Sequence, residues 1–155
     1  MSQALKTLLG KVRTIALVGA SPKPDRASYQ VMAYMLDRRF KVIPINPNPD
    51  LKEILGQPVV PSLADLPGPV DMVDVFRRSE FVREVYEAAR PSLAGRKVFW
   101  TQIGVRDDAV AQEAQAAGIE VIQDRCPKIE YQRLFGELSK AGINTRVISS
   151  KLPIL

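Results

Sequence analysis

The sequence predicts an α/β fold: a Rossmann-like, doubly wound and mainly parallel five-stranded sheet with helices on both faces. Short, continuously apolar runs of strand length alternate with segments whose apolar residues recur at helical spacing. Runs of this kind are typical of parallel strands that helices cover on each side. With 155 residues, 46% of them hydrophobic and 25% charged, the chain has the size and composition of one globular domain.

Each element is predicted from its own run or period. The strands are predicted at residues 14–18, 40–45, 70–76, 97–103 and 119–123. The helices are predicted at residues 3–11, 28–38, 79–90, 106–118 (closed by Gly118, a natural C-cap) and 129–142. A proline-rich stretch at 44–69 is expected to be an ordered loop with a short helix at 62–66. The single domain, 1–155, then has an N-terminal helix at about 3–11, a core at about 14–142 and a tail at 143–155. We expect the tail to be either a final strand or an arm against a partner.

Composition excludes several classes of function. The chain has no histidine, which excludes Ser-His-Asp and Cys-His catalysis and histidine metal sites. Its net charge of +5 favours a phosphate-rich ligand, but the basic residues are scattered and the 6% aromatic residues are not spaced to stack bases. We therefore expect a small phosphorylated ligand and not a nucleic acid. A single cysteine and the lack of an apolar run near the roughly 20 residues of a membrane span lead us to expect a cytoplasmic protein.

The first loop, "GASPKPDRAS", follows the first predicted strand and has the features of a phosphate site. Gly19 permits a tight turn out of the strand, and Ser28 is predicted to cap the next helix, whose N-terminus favours an anion. Ser21, Lys23 and Arg26 add hydroxyl groups and positive charge. The later glycines of a dinucleotide-binding fingerprint are missing. The alternative interpretation is a solvated loop that its prolines stiffen.

The end of the second strand argues against a nicotinamide dinucleotide. Such domains place Asp or Glu there to bind the adenosine ribose, whereas "IPINPNPD" has Asn46 and has its first acid only at Asp50. Coenzyme A carries a 3′-phosphate on that ribose, which a carboxylate would repel and which Asn46 with a nearby cation such as Lys52 would tolerate. A turn selected only for rigidity stays open as an alternative.

The remaining strand ends supply further candidates. Arg77 and Arg78 follow the third strand at the expected mouth of the site, where they are either donors to a phosphate or a solvated rim, and Ser79 is predicted to cap the next helix. Thr101, Gln102, Ile103 and Gly104 follow the fourth strand and offer hydroxyl, amide and bare backbone groups, while Trp100 is expected in the core or an interface. Cys126 follows the fifth strand; Arg125 and Lys128 would lower its pKa if it were a nucleophile, and otherwise it is a packed or ligand-facing thiol.

Taken together, these loops resemble a known family. The segments "VGASPKPDRASYQVMAYML", "VIPINP", "PVDMVDVFRRSE" and "WTQIGVRDDAVAQEAQAAGIEVIQDRCPKIE" are similar to those of the small stand-alone CoA-binding proteins. That family in turn resembles the N-terminal CoA-binding domain of the succinyl-CoA synthetase alpha subunit and of NDP-forming acyl-CoA synthetases. The resemblance covers residue 14 to about residue 134.

The resemblance implies a ligand that crosses the carboxyl ends of the strands. The residues that match the family's binding positions are Gly19, Ala20 and Ser21 at the phosphates, Pro44, Asn46 and Pro47 beside the adenosine, Phe76 and Arg77 after the third strand, Gln102, Ile103 and Gly104 after the fourth, and Cys126 with Pro127, which match a Cys-Pro pair of the synthetases. The first loop is richer in proline than that of the synthetases. The phosphohistidine region and the nucleotide-grasp domain are absent from this sequence, so acyl-CoA ligation is not implied.

The expected function is therefore binding of coenzyme A or an acyl-CoA by a non-catalytic module, with Lys23, Arg26 and Ser28 beside the phosphates. Two alternatives stay open. One is a redox enzyme or sensor that uses NAD(P) or a CoA disulfide and reacts through Cys126. The other is a CoA-binding subunit of a separately encoded synthetase. A homodimer through the N-terminal helix or the tail is also possible, and neither a nucleic acid nor a membrane is expected as a partner.

Overall fold

The computed structural model describes residues 2–136 and confirms the predicted fold class. Its strands are β1 (Thr14–Val18), β2 (Lys41–Ile45), β3 (Glu53–Ile54), β4 (Gln57–Pro58), β5 (Val70–Val75), β6 (Leu93–Thr101) and β7 (Glu120–Ile122). Five of them form one sheet in the order β2-β1-β5-β6-β7, in which every pairing is parallel. The direction of winding reverses between β1 and β5, because the chain first moves outward to β2 and then returns to the other side of β1.

Helices cover both faces of this sheet. They are α1 (Ser2–Lys11), α2 (Ala27–Asp37), α3 (Val82–Ala89), α4 (Asp108–Ala116) and α5 (Pro127–Leu134). Buried residues of α1 and α2, with apolar residues of α5 against them, belong to one core cluster, whereas those of α3 and α4 belong to the other. The sheet is thus the middle of three layers, as the reversal of winding requires.

The two cores follow from the apolar runs of the strands. Met72 of β5 points into one core and Val73 into the other, and both are fully buried. Trp100 is also fully buried, and its indole nitrogen donates to the backbone oxygen of Arg125 at 2.7 Å. The prediction that Trp100 lies in the core is confirmed. Burying one such apolar side chain contributes about 1.5–3 kcal/mol, so the strands are held mainly by these two interfaces.

Several element ends differ from the sequence prediction. β6 begins at Leu93, ahead of the predicted start at 97, and its register against β5 shifts between Val70 and Met72. The last helix begins at Pro127 and ends at Leu134, because Gly136 takes a left-handed φ of 73° after it. The helix predicted at 129–142 is therefore interrupted after residue 134, and its predicted end at residue 142 lies outside the described residues. The predicted tail at 143–155 lies outside the described residues.

The proline-rich segment is ordered, as predicted. It forms the hairpin β3–β4, which was not predicted, and a 3-10 turn at Leu63–Asp65 within the predicted short helix. Val60 then runs beside β2: its N–H donates to the Pro44 oxygen at 3.0 Å, and its own oxygen accepts from the Asn46 N–H at 3.0 Å. This segment therefore covers the outer edge of β2. In the described chain no helix is long and apolar enough to span a bilayer.

Candidate functional site

The carboxyl ends of β1 and β5 meet at Gly19 and Phe76, where the winding of the sheet reverses. The Phe76 N–H donates to the Val18 oxygen at 2.8 Å, which brings the two loops together. Gly19 has a φ of 89°, and a Cβ placed on it would lie 2.8 Å from the Phe76 carbonyl oxygen. A side chain is thus excluded both by backbone conformation and by space. In open α/β sheets, ligands bind in the crevice at this kind of switch point.

The loop after Gly19 leads into α2 with polar groups facing outward. The Ser21 hydroxyl accepts from the Lys23 N–H at 3.2 Å, and Lys23 and Arg26 are exposed. Arg26 occupies the N-cap position and makes no capping side-chain bond, so the first N–H groups of α2 face the loop without a side-chain partner. The prediction that Ser28 caps this helix was wrong. The helix begins one residue earlier, and Ser28 is buried in its first turn.

Asn46 connects the loop after β2 to the loop after β1. Its side-chain nitrogen donates to the Ala20 oxygen at 2.8 Å, and its side-chain oxygen accepts from the Asn48 N–H at 2.8 Å. Pro47 is exposed at the rim, whereas Pro44 is buried inside β2. The end of β2 therefore carries an amide where nicotinamide enzymes carry an acid. Lys52, suggested as a nearby cation, donates instead to the Pro49 oxygen at 3.0 Å.

A cleft of about 600 Å³ opens beside this switch point. Four of its lining residues are predicted site residues: Gly19, Pro47, Phe76 and Arg77. The others come mainly from the end of the proline-rich segment and from α3 and the turn before it: Val18, Ile45, Pro61, Ser62, Leu63, Arg78, Phe81, Glu84, Val85 and Ala88. The helical spacing of residues 81 and 85 was visible in the sequence, whereas residue 88 was not part of the predicted apolar face. That this face borders the cleft was not, because it depends on how the helix packs.

Arg77 is held at the mouth of the cleft. Its guanidinium carbon lies 4.0 Å from the centre of the Phe81 ring, and Nη1 lies 3.6 Å from Oε2 of Glu84. Arg78 lies 5.5 Å from the same ring and pairs with Glu80 at 3.7 Å. A guanidinium stacked on an aromatic ring keeps its edge free to donate hydrogen bonds. The cleft thus has two guanidinium groups on this side, each paired with a glutamate, and its other walls are mainly apolar.

Hydrogen bonds connect the loop after β6 to the loops that follow β5 and β7. The Gly104 N–H donates to Oδ1 of Asp124 at 2.6 Å, and the Ser79 hydroxyl accepts from the Arg106 N–H at 2.8 Å. Ser79 therefore bridges two loops. The prediction that Ser79 caps α3 was wrong, because a 3-10 turn at Ser79–Phe81 precedes that helix. Ile103 stands at the tip of the loop with 54% of its surface exposed. Its exposure makes it available for contact with a ligand.

Gln102 points into the protein and faces Asp74, a buried carboxyl near the end of β5. With its amide nitrogen turned toward the carboxyl, Gln102 lies 3.0 and 3.2 Å from the two oxygens. Asp74 is 1% exposed, and burial raises the pKa of its carboxyl well above the usual range. Asp74 was not singled out from the sequence; the available signal was its position inside a strand predicted to be covered on both faces. Gln102 thus has a buried partner beneath the loop of which it is part.

Cys126 lies at a second pocket of about 310 Å³, at the ends of β6 and β7. Ile103, Arg106, Arg125 and Ile129 also line it. The thiol is only 2% exposed, and burial raises its pKa. A nucleophilic Cys126 was expected to have its pKa lowered by Arg125 and Lys128, whereas the pKa is above its ordinary value. Such a thiol is a poor nucleophile as it stands.

The predicted residues thus fall into three groups around one edge of the sheet. Gly19, Pro47, Phe76 and Arg77 line the first cleft, and Ile103 and Cys126 line the second pocket. The third group lines neither of these two cavities: Ala20, Ser21, Lys23, Arg26, Ser28, Pro44, Asn46, Gln102 and Gly104. Among residues 2–136, no three His, Cys, Asp or Glu residues are grouped so as to hold a metal ion.

Comparison with known proteins shows the family to which this chain belongs. Residues 13–132 match the family model described as a CoA binding domain. YneT of Bacillus subtilis is 39% identical over 127 residues, which are 82% of this chain and 91% of YneT. The solved structure of a hypothetical protein from Pyrococcus horikoshii OT3 has 34% identity and a TM-score of 0.80, over 88% of this chain and 93% of that one.

A longer relative contains the same domain as one part. The ADP-forming acetate–CoA ligase I of Archaeoglobus fulgidus is 25% identical over 122 residues, which are 74% of this chain. The match spans only 18% of the ligase. The similarity therefore concerns one domain of that enzyme and not its complete machinery.

Proposed function

Because this chain belongs to the family of CoA-binding domains, we propose that it binds coenzyme A or an acyl-CoA across the carboxyl ends of its parallel strands. One observation carries the proposal. Gly19 packs against the backbone of Phe76 at the switch point and also lines the cleft there, so a pyrophosphate in that cleft would approach the backbone of Gly19–Ser21. The open first turn of α2 supplies N–H donors and a favourable dipole for the same group. Lys23 and Arg26, which are exposed there, add positive charge.

The cleft of about 600 Å³ suits the adenosine half of the ligand. Its apolar walls, from Ile45 on one side to Val85 on the other, would pack against the base. Arg77 and Arg78 at its mouth would attract the 3′-phosphate, because guanidinium groups donate to phosphate oxygens in a fixed fork. Asn46 places no negative charge at the end of β2, so nothing there repels that phosphate.

The pantetheine arm would run from the switch point toward the second pocket. Adjacent strands lie about 4.8 Å apart, so the step from β1 to the gap between β6 and β7 is about 12 Å. An extended pantetheine arm can span that distance. It would pass Gln102, Ile103 and Gly104 and reach the pocket that Cys126 lines.

We assign no reaction to this site. The chain has no histidine, and the Cys126 thiol is buried with a raised pKa. Those properties are unfavourable for acid–base catalysis at neutral pH and for attack by a thiolate. A binding module is the simplest function that agrees with them.

Calorimetric titration tests the proposal. Coenzyme A should bind several-fold more tightly than dephospho-CoA, since the two differ only in the 3′-phosphate. Arg77→Gln should reduce that preference. Arg90→Gln is the matched control, because Arg90 also stacks on a ring (Tyr86) and pairs with a glutamate (Glu87) but does not line the cleft.

Equal affinity for the two compounds would remove the proposed role of the 3′-phosphate. Undetectable binding of both would remove the proposed function. Native mass spectrometry of freshly purified protein then identifies which coenzyme or acyl derivative it carries.

A further inference from the structure

Three buried polar side chains lie close together at the carboxyl edge of the sheet: Asp74, Gln102 and Cys126. Gln102 contacts the other two. In the orientation that pairs it with Asp74, its amide nitrogen lies 3.0 and 3.2 Å from the two carboxyl oxygens, and its side chain is also hydrogen-bonded to the Cys126 thiol. The three residues belong to β5, to the loop after β6 and to the start of α5. Gln102 therefore connects three separate elements beneath the surface.

Asp74 is costly at its place in the sheet. Its neighbours in β5, Val73 and Val75, are fully buried. In register it lies between Leu17 of β1 and Trp100 of β6, which are also fully buried. A carboxyl there loses its hydration, and burial raises its pKa for that reason. An apolar side chain would fill this point of the sheet at lower cost, so packing of the sheet alone does not explain a carboxyl.

Gln102 begins the loop that the pantetheine arm would pass. Its backbone N–H donates to the Val75 oxygen at 3.2 Å, and its backbone oxygen accepts from the Val105 N–H at 2.9 Å. The next residue, Ile103, is exposed and lines the second pocket, as Cys126 does. The contacts of Gln102 therefore reach two walls of that pocket, one through the backbone and one through the thiol.

We propose that Asp74 is a positioning residue for the pantetheine end of the coenzyme: it holds Gln102, and Gln102 holds the loop and the thiol that border the second pocket. This inference rests on the proposed function, because it assigns a role within the same site. Asp74 itself would not touch the ligand, since it is buried and lines neither the cleft nor the second pocket. A satisfied buried polar network favours one arrangement of the groups that it joins, and a narrow ligand arm requires such an arrangement.

Two ligands separate the ends of the coenzyme in a calorimetric test. Adenosine 3′,5′-bisphosphate keeps the nucleoside and the 3′-phosphate but lacks the pantetheine arm. Asp74→Leu removes the contact with Gln102 at similar side-chain volume, so it should weaken coenzyme A binding about three- to ten-fold and leave binding of the bisphosphate unchanged. Asp74→Asn keeps a polar partner for Gln102 and should lie between Asp74→Leu and the original chain. It supplies the same comparison if the leucine variant does not fold.

Asp71→Leu is the matched control. Asp71 lies in the same strand, and its carboxylate accepts from the N–H groups of Arg13 and Thr14 at 2.9 and 3.1 Å, at the amino end of the strands. This variant should lose stability but bind both ligands like the original chain. The double variant Asp74→Leu, Gln102→Met places two apolar side chains together, so it should recover stability without recovering the affinity for coenzyme A.

Cys126 is the only cysteine of the sequence, so its reaction with an aromatic disulfide reagent reports on the same network without any ligand. Asp74→Leu should make that reaction several-fold faster, because it releases Gln102 from the carboxyl and loosens the surroundings of the thiol. Asp71→Leu should leave the rate close to that of the original chain.

The proposal is overturned if Asp74→Leu weakens both ligands by the same factor, leaves the affinity for coenzyme A unchanged, or leaves the thiol as slow as in the original chain. It is also overturned if the original chain binds the bisphosphate as tightly as coenzyme A, a result that would leave nucleotide binding intact. If the original chain binds neither ligand, the proposed function fails together with this inference.

Discussion

Gly19 matters through its backbone, since it brings the ends of β1 and β5 into direct contact. Its φ of 89° is strained for any residue with a Cβ, and the Phe76 oxygen occupies the space that such an atom needs. The same bare backbone is what a pyrophosphate would approach. In the proposed complex, stability and ligand binding would therefore depend on Gly19 for two separate reasons.

Gly19→Ala should lower the free energy of unfolding by about 1–3 kcal/mol, because both the strained φ and the contact with Phe76 are unfavourable. Gly56→Ala is the control: its φ is 77°, but no atom lies within 4 Å of its Cβ position. Denaturant titration of both variants separates strain from contact. If the two variants lose equal stability, the close approach to Phe76 has no energetic consequence.

Asp74 links stability to pH. Its pKa is raised by burial, so the folded protein resists ionisation of a carboxyl that ionises near pH 4 in the unfolded chain. The contribution of Asp74 is complete below the unfolded pKa and is lost as pH rises through the folded pKa. A buried neutral carboxyl beside the Gln102 amide thus weakens the fold toward higher pH.

Asp74→Asn should remove this dependence, since the amide is of similar size and does not ionise. Thermal unfolding between pH 4 and pH 8 should show a melting temperature that falls less, or rises more, with pH in the variant than in the original chain. Asp50→Asn, at an exposed position, should follow the original curve. Parallel curves for Asp74→Asn and the original chain would contradict the raised pKa.

Among the helices, the two on either side of the site begin in different ways. α4 begins with a side-chain cap, because Oδ1 of Asp107 accepts from the Val110 N–H at 3.1 Å. α2 begins at the phosphate loop without one, and its first N–H groups are left for a ligand. The absence of a cap at α2 therefore belongs to the proposed site.

Asp107→Ala should cost about 1 kcal/mol of stability, the usual value of a lost cap. Ser28→Ala should cost clearly less, since Ser28 lies inside the first turn of α2 and makes no capping bond. Chemical denaturation of both variants measures the difference. A larger loss for Ser28→Ala would show that Ser28 does cap α2 in solution.

The sequence predicted elements well where burial alone determines them. β1 was predicted with its exact bounds, because an apolar run buried on both faces has few alternatives. The caps at Ser28 and Ser79 were wrong, because a serine can serve as a cap, a bridge between loops or a buried first-turn residue, and only tertiary contacts select among these. The early start of β6 and the early end of α5 depend on backbone turns that the apolar pattern does not encode.

At the scale of the whole molecule, strand order gathers loops that are far apart in sequence. The strand-end rule singled out loops that do come together, since Gly19, Pro47, Phe76 and Arg77 line one cleft. It did not predict that Leu63 of the proline-rich segment, or Glu84 and other residues of α3, would line the cleft. Their positions depend on how that segment and the helix pack.

The central claim is that coenzyme A lies across the carboxyl ends of the strands, with its pyrophosphate at the reversal of winding. A crystal structure of the protein grown with saturating coenzyme A tests it most directly. The account predicts pyrophosphate density beside the backbone of Gly19–Ser21 and adenosine density in the cleft between Pro47 and Phe81. Coenzyme density anywhere else on the protein, with that cleft empty, would contradict the account.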